Sequence, residues 1–303
     1  MPSLSSYRKL AGIFALLVLS LASVGTRAIE VASSPEEMGM ATWRLDQITQ
    51  DLQKLVHDDI VPGAAFIVLR GGKYVYHGEV GYSDKETMTG FRTNSICRLL
   101  SMSKPVAAVA IMKLIEDGKL AMDDPLSKYL PEWKGGERGR EGGREGGREV
   151  TTENMYCDFY GFIWEPWPSV TGISPDVWMH DNIFKPLGMV DTAFSVPMSK
   201  INRYSTSYSA MSNGRLQFIF RPRLDYVSYG PPNFKSLGGG IVSTAKDFAR
   251  FGQMLLNGGT LDGVTILSSE SVDTMWRNYL PASHLPMDLN GWASDVNTGT
   301  SLP

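Results

Sequence analysis

From Gly135 to Glu149 the chain carries no apolar side chain. Gly-Arg-Glu recurs there three times at a period of four, and with Lys134 the stretch holds five basic charges against four acidic ones. Such a stretch cannot contribute to a core, so any core must come from the residues before and after it. The reading for 134–149 is a disordered, passive linker inside one larger unit. Its interleaved glutamates cancel the field that an Arg-Gly nucleic-acid-binding segment would need. The whole chain, with 29 basic and 32 acidic residues and a net charge of −3, has no basic tract interleaved with aromatics, so no nucleic-acid partner is expected. At 303 residues, 43% hydrophobic, the rest is long and apolar enough for a substantial core.

Residues 1–28 read as a signal peptide. Arg8 and Lys9 form a positive start, Leu10 to Val24 is almost wholly apolar, and Thr26-Arg27-Ala28 offers a cut site, with Ser23-Val24-Gly25 as a second choice. The apolar run of 15 residues is shorter than the 18 or more of a membrane span. The expected localisation is secreted or extracytoplasmic; the alternative is a membrane anchor over residues 10–25, with a membrane partner only if the segment is uncleaved. Cys97 and Cys157 are too few for a disulfide framework. His57, His77, His180 and His284 are scattered without ligand spacing, so neither a metal nor a cofactor is expected.

Ser33-Ser34-Pro35-Glu36-Glu37 reads as a helix start, followed by a stripe of Leu45, Ile48, Leu52, Leu55 and Val56. Apolar runs 64–69 and 74–80 around Gly71-Gly72 read as a β-hairpin. A helix is expected from about Ser101 to Asp117, burying Val106, Ala107, Ala110, Ile111, Leu114 and Ile115, with Pro105 tolerated in its first turn and Gly118 ending it. Asp123-Asp124-Pro125 caps a short helix over 126–130, and Ser174-Pro175-Asp176 another through Phe184. Alternating runs within 203–229 suit strand, Gly238-Gly239-Gly240 marks a crowded backbone, and Ser243-Thr244 and Ser268 begin the last two helices.

At the mouth of the first strong helix lies Ser101-Met102-Ser103-Lys104. This spacing puts a hydroxyl and an amine on one face, one turn apart, where the serine can be acylated and the lysine can take its proton. A helix N-terminus also favours developing negative charge, and the Ser101 N–H could serve as an oxyanion donor. Taken alone, the four letters are better read as a capping serine and a solvated lysine.

The flanks alter that balance. Pro62-Gly63-Ala64, the run from Cys97 to Pro105, Glu116-Asp117-Gly118-Lys119-Leu120, the run from Asp123 to Trp133, the run from Ile183 to Thr192 and the run from Gly238 to Asp247 together resemble the serine β-lactamase-related hydrolases: class C β-lactamases, D-alanyl-D-alanine carboxypeptidases and related esterases. The resemblance covers roughly 35–133 and 160–292. It implies an α+β fold, an antiparallel sheet flanked by helices with a helical insertion, over 29–303. It also implies a serine hydrolase that cleaves an ester or amide of a small molecule through a Ser101 acyl-enzyme with Lys104 as base. The family's acid/base tyrosine corresponds to Tyr156, with Tyr160 the alternative. The Gly-Arg-Glu tract stands where the family has a segment rich in Leu, Thr, His, Ser and Gly. The C-terminal strands with their Lys/His/Trp-x-Gly motif have no counterpart after Gly291-Trp292, so the sheet is expected to be incomplete and the sequence truncated at its C-terminus. The rival expectation is a catalytically inactive homologue that acts, if at all, as a binding protein.

Overall fold

The computed structural model describes residues 29–129, 144–145, 148–149, 167–211, 214–220 and 235–278. The signal segment, Tyr156, Tyr160, Cys157 and most of the Gly-Arg-Glu tract lie outside the described residues.

The expected first helix begins later than its capping sequence suggests. Glu36–Met38 forms a single 3-10 turn, which Gly39 ends in a left-handed conformation (φ 67°). The α-helix α1 then runs Thr42–His57. Glu36 still serves as a cap from a distance: its carboxylate accepts the Thr42 backbone N–H at 2.9 Å. Of the expected stripe only Leu45 is buried, while Ile48 and Leu55 stay exposed.

Strands β1 (Gly63–Arg70) and β2 (Lys73–Asp84) pair antiparallel from Gly63↔Gly81 to Arg70↔Lys73. Gly71 and Gly72 both take positive φ in the connecting turn (58° and 77°), as a two-residue hairpin loop of matching twist requires. The two-residue strand β3 (Thr89–Gly90) adds to the outer edge of β2. Helix α1 packs on this sheet, with Leu45, Val75 and Ala32 as a small core.

The second and larger core gathers around the expected nucleophile helix. Strand β4 (Cys97–Arg98) leads into a 3-10 turn at Leu100–Met102, and helix α2 follows over Ser103–Glu116. The α-helix therefore starts two residues after Ser101, and Leu100, the first residue of the 3-10 turn, takes a left-handed backbone (φ 47°). Its buried residues include Val106, Ala107, Val109, Ala110, Ile111, Met112 and Leu114, more than one stripe. A helix apolar nearly all round must be enclosed on nearly all sides.

Later parts of the sequence supply residues that enclose it, among them Trp167, Phe184, Ile241 and Phe251. Within the Gly-Arg-Glu tract, β5 (Arg144–Glu145) and β6 (Arg148–Glu149) form a two-residue ladder. Helices α3 (Trp167–Thr171) and α4 (Pro175–Met179) follow, the latter continued by a wider π turn over His180–Phe184. Trp167 and Trp178 meet edge to face at 5.3 Å, and Met179, Ile183, Phe184 and Leu187 fill the core beside α2. Strands β7 (Ser207–Ala210) and β8 (Leu216–Phe220) pair with each other. Strand β9 (Val242–Ser243) pairs with β4. Helix α5 (Ala245–Leu256) is capped by the Thr244 hydroxyl, which accepts the Asp247 N–H at 3.1 Å. Strands β10 (Thr260–Leu261) and β11 (Val264–Thr265) form a small hairpin, and α6 (Ser269–Met275) is the last described element, under a Ser268 cap. The fold is α+β, with antiparallel strand pairs and helices on separate stretches of the sequence, as the resemblance implied.

Candidate active site

The site is built where β4 turns into α2. Its scaffold is β9, held on both sides by backbone bonds. On one side Arg98 pairs with Val242 and Cys97 with Ser243. On the other, Val242 exchanges two bonds with Ala193, at 2.8 and 3.1 Å. The preceding residue, Ile241, accepts the Leu99 N–H at 2.9 Å and donates its own N–H to the Ser103 hydroxyl at 3.2 Å. The stretch is thus held through the Leu99 N–H two residues before Ser101 and through the Ser103 side-chain hydroxyl two residues after it.

Ser101 sits exposed on the turn between those grips. The Lys104 amine donates to its hydroxyl oxygen at 2.8 Å. The two expected site residues are therefore in direct contact, and their spacing survives the change from α to 3-10 geometry because three residues still make one turn. Glycines expected to mark a crowded backbone do so at Gly240: a Cβ there would lie 2.7 Å from the Ser236 carbonyl oxygen. Gly239 lies against the Leu100 backbone, with its nearest atoms at 3.7 Å from a notional Cβ.

An open cavity of about 320 Å³ is lined by Leu99 and Met102 of this stretch together with Ile67, Phe91, Cys97, Ser243 and Phe248, while Ser101 and Lys104 do not line it. Cys97 is a free thiol, and burial pushes its pKa up, partly offset by a hydrogen bond with Ser205. A buried thiol of raised pKa is a poor nucleophile. Among the described residues no cluster of His, Cys, Asp and Glu has the arrangement of a metal site. Among the same residues no helix is long and apolar enough to cross a membrane.

Behind β9 stands a polar network that the sequence did not reveal. Asp247 is buried and accepts the Asp191 N–H at 2.6 Å and the Thr192 hydroxyl at 2.9 Å. Thr192 also bonds the Ser243 hydroxyl at 2.7 Å. Burial raises the Asp247 pKa, against the lowering effect of the Asp191 N–H and the Thr192 hydroxyl. The Asp191 carboxylate is held below its usual range, first by its bidentate bond to Arg203 (2.8 and 2.5 Å) and also by Lys200. The helix start at Ser243-Thr244 was legible in the sequence, whereas the part played by Asp247 was not. In the structure the Asp247 carboxylate reaches across to the loop at 191–192.

The beta-lactamase family model matches residues 47–156 and 168–288, spanning the strands, the Ser101 turn and the helices behind it. The chain belongs to the beta-lactamase family. Membership places it among beta-lactamase-family hydrolases. Protein Rv1367c of Mycobacterium tuberculosis is 27% identical over 291 residues, covering 76% of this chain and 71% of that protein. The esterase EstB of Burkholderia gladioli is 38% identical over 72 residues, 24% of this chain and 18% of the esterase. Among solved structures, a variant of simvastatin synthase (LovD) from Aspergillus terreus superposes with a TM-score of 0.66 at 18% identity, covering 88% of this chain and 79% of that one, a likeness of fold.

Proposed function

We propose that this beta-lactamase-family protein is a serine hydrolase that cleaves an ester or amide of a small molecule through an acyl-enzyme on Ser101. The observation that carries the reading is the 2.8 Å contact between the Lys104 amine and the Ser101 hydroxyl oxygen. That distance lies within proton-transfer reach for a nucleophile and its base. With Lys104 as the neutral amine, the Ser101 oxygen attacks the substrate carbonyl carbon and its proton passes to the Lys104 nitrogen. The tetrahedral oxyanion is met by the Ser101 N–H, and the proton is delivered to the departing alcohol or amine as the C–O or C–N bond breaks. Water then attacks the Ser101 ester by the reverse route and releases the acid. Tyr156, which lies outside the described residues, is assigned as the acid/base partner by resemblance.

The local match to an esterase supports ester chemistry, and the exposed, gripped position of Ser101 favours catalysis over the rival role of a binding protein. A fluorophosphonate probe tests the reading: the serine oxygen displaces fluoride and keeps the phosphonyl group. Labelling mapped to Ser101 by peptide mass spectrometry, and lost in Ser101→Ala, is the expected result. Labelling at another residue with Ser101 unmodified would overturn it.

A further inference from the structure

We propose that Ser103 is a positioning residue for the Ser101 nucleophile, and that its buried hydroxyl acts by holding the Ile241 N–H. The inference rests on the assignment of Ser101 given above.

Ser103 is the first residue of α2 and is wholly buried, at 0% exposure. A buried hydroxyl in an apolar helix is retained only where it has a hydrogen-bonding partner. Here the partner is the N–H of Ile241, itself at 0% exposure, at 3.2 Å. Ile241 also accepts the Leu99 N–H at 2.9 Å. One residue of the segment leading into β9 therefore fixes both ends of the five-residue stretch 99–103. Inside that stretch Leu100 holds a positive φ of 47°. A leucine keeps such a backbone only where its surroundings over-determine it. Ser101 follows directly, and its hydroxyl reaches the Lys104 amine at 2.8 Å.

Loss of the Ser103 hydroxyl leaves the Ile241 N–H without its buried acceptor and frees one end of the stretch. Leu100 can then relax, and Ser101 moves relative to Lys104. A misplacement near 1 Å is enough to cost on the order of 100-fold in rate. Ser103 has no part in bond making, so it should alter the rate at which Ser101 reacts and leave probe binding unchanged.

The experiment measures fluorophosphonate labelling of the full-length protein at saturating and sub-saturating probe, giving a maximal labelling rate and a half-saturating concentration. The variants are Ser103→Ala, Ser103→Thr and Ser103→Val, each with its thermal midpoint. Threonine and valine have nearly the same shape, so they share any steric cost and differ in the hydroxyl. The expected result is a maximal rate at least ~10-fold higher for Thr than for Val, with Ala close to Val and half-saturation similar in all. If Ala fails to fold, the Thr and Val pair decides alone; if all three fail, hydroxyl-to-thiol Ser103→Cys, with its weak acceptor, must label more slowly than wild type. Equal maximal rates for Thr and Val, with different midpoints, would show that Ser103 is structural only and overturn the proposal. Absence of Ser101 labelling in the wild-type protein would overturn the hydrolase reading first, and this inference with it.

Discussion

The carboxylate of Asp247 accepts the backbone N–H of Asp191 at 2.6 Å, although 56 positions separate them in sequence. Asp247 stands in the first turn of α5, while Asp191 follows the turn that ends the 180–188 segment. Their bond joins the helix behind the candidate site to the loop that pairs with β9 through Ala193 and Val242. The Ser101 turn therefore rests on β9, and β9 rests on this buried contact.

Asp247→Ala should lower stability by about 1–3 kcal/mol, since it leaves the Asp191 N–H and the Thr192 hydroxyl without their buried acceptor. Asp247→Asn keeps an acceptor oxygen and should lose less. Urea unfolding of the two variants beside wild type checks the order; an Asn variant less stable than the Ala variant would contradict it.

The acid limb of the stability profile should belong in part to Asp191. Its pKa is lowered in the folded state by Arg203 and Lys200. The folded form therefore binds its proton less readily than the unfolded form, and its contribution is fully present above the ordinary value of 3.8. That contribution disappears as pH falls through the lowered folded pKa. The stability gap between wild type and Asp191→Asn should be constant near neutrality and should close below pH 3.8. Asp247 has the opposite sign: its raised pKa makes the folded state bind its proton more readily, so its share is lost as pH rises from 3.8 through the folded value. Unfolding free energies measured at a series of pH values separate the two; a gap at Asp191 that widens on acidification would refute the assignment.

Lys104→Ala should abolish labelling of Ser101 by an acylating probe, and Lys104→Arg should not restore it. Both conclusions follow from the 2.8 Å contact between amine and hydroxyl. Arginine keeps the positive charge but does not deprotonate near neutral pH, so it cannot accept the serine proton. Probe kinetics with both variants are the check, and an active Arg variant would mean that Lys104 acts by charge alone.

Gly240→Ala should both destabilise the protein and slow Ser101 labelling. Its Cβ would come within 2.7 Å of the Ser236 carbonyl oxygen and 3.1 Å of the Ser236 nitrogen, a backbone clash that only a shift of the 236–241 segment can relieve. Overpacking of this kind typically costs about 1–3 kcal/mol. The shift would also move Ile241, which grips Leu99 and Ser103. Thermal midpoint and probe labelling measured together test both effects; an unchanged labelling rate in a destabilised protein would separate Gly240 from the site.

Local chemistry was enough to specify several parts of this protein. Two apolar runs around Gly71-Gly72 contain the hairpin, because a two-residue turn with positive φ at both positions leaves the strands little other choice. Thr244 and Ser268 start their helices by the ordinary capping bond, and the Ser101 and Lys104 spacing brings hydroxyl to amine across one turn. Each of these depends on residues a few positions apart. Tertiary structure decided the remainder. The helix after Ser33-Ser34 was displaced to Thr42, because Gly39 turns the backbone and Glu36 then caps from six positions away. The left-handed Leu100, the Ile241 bonds to Leu99 and Ser103, and the Asp247 bond to Asp191 join segments far apart in sequence. No local pattern encodes such pairs, since a hydroxyl, an amide or a carboxylate presents the same letters whether water or a distant backbone satisfies it; burial, which is a property of the assembled core, makes the choice.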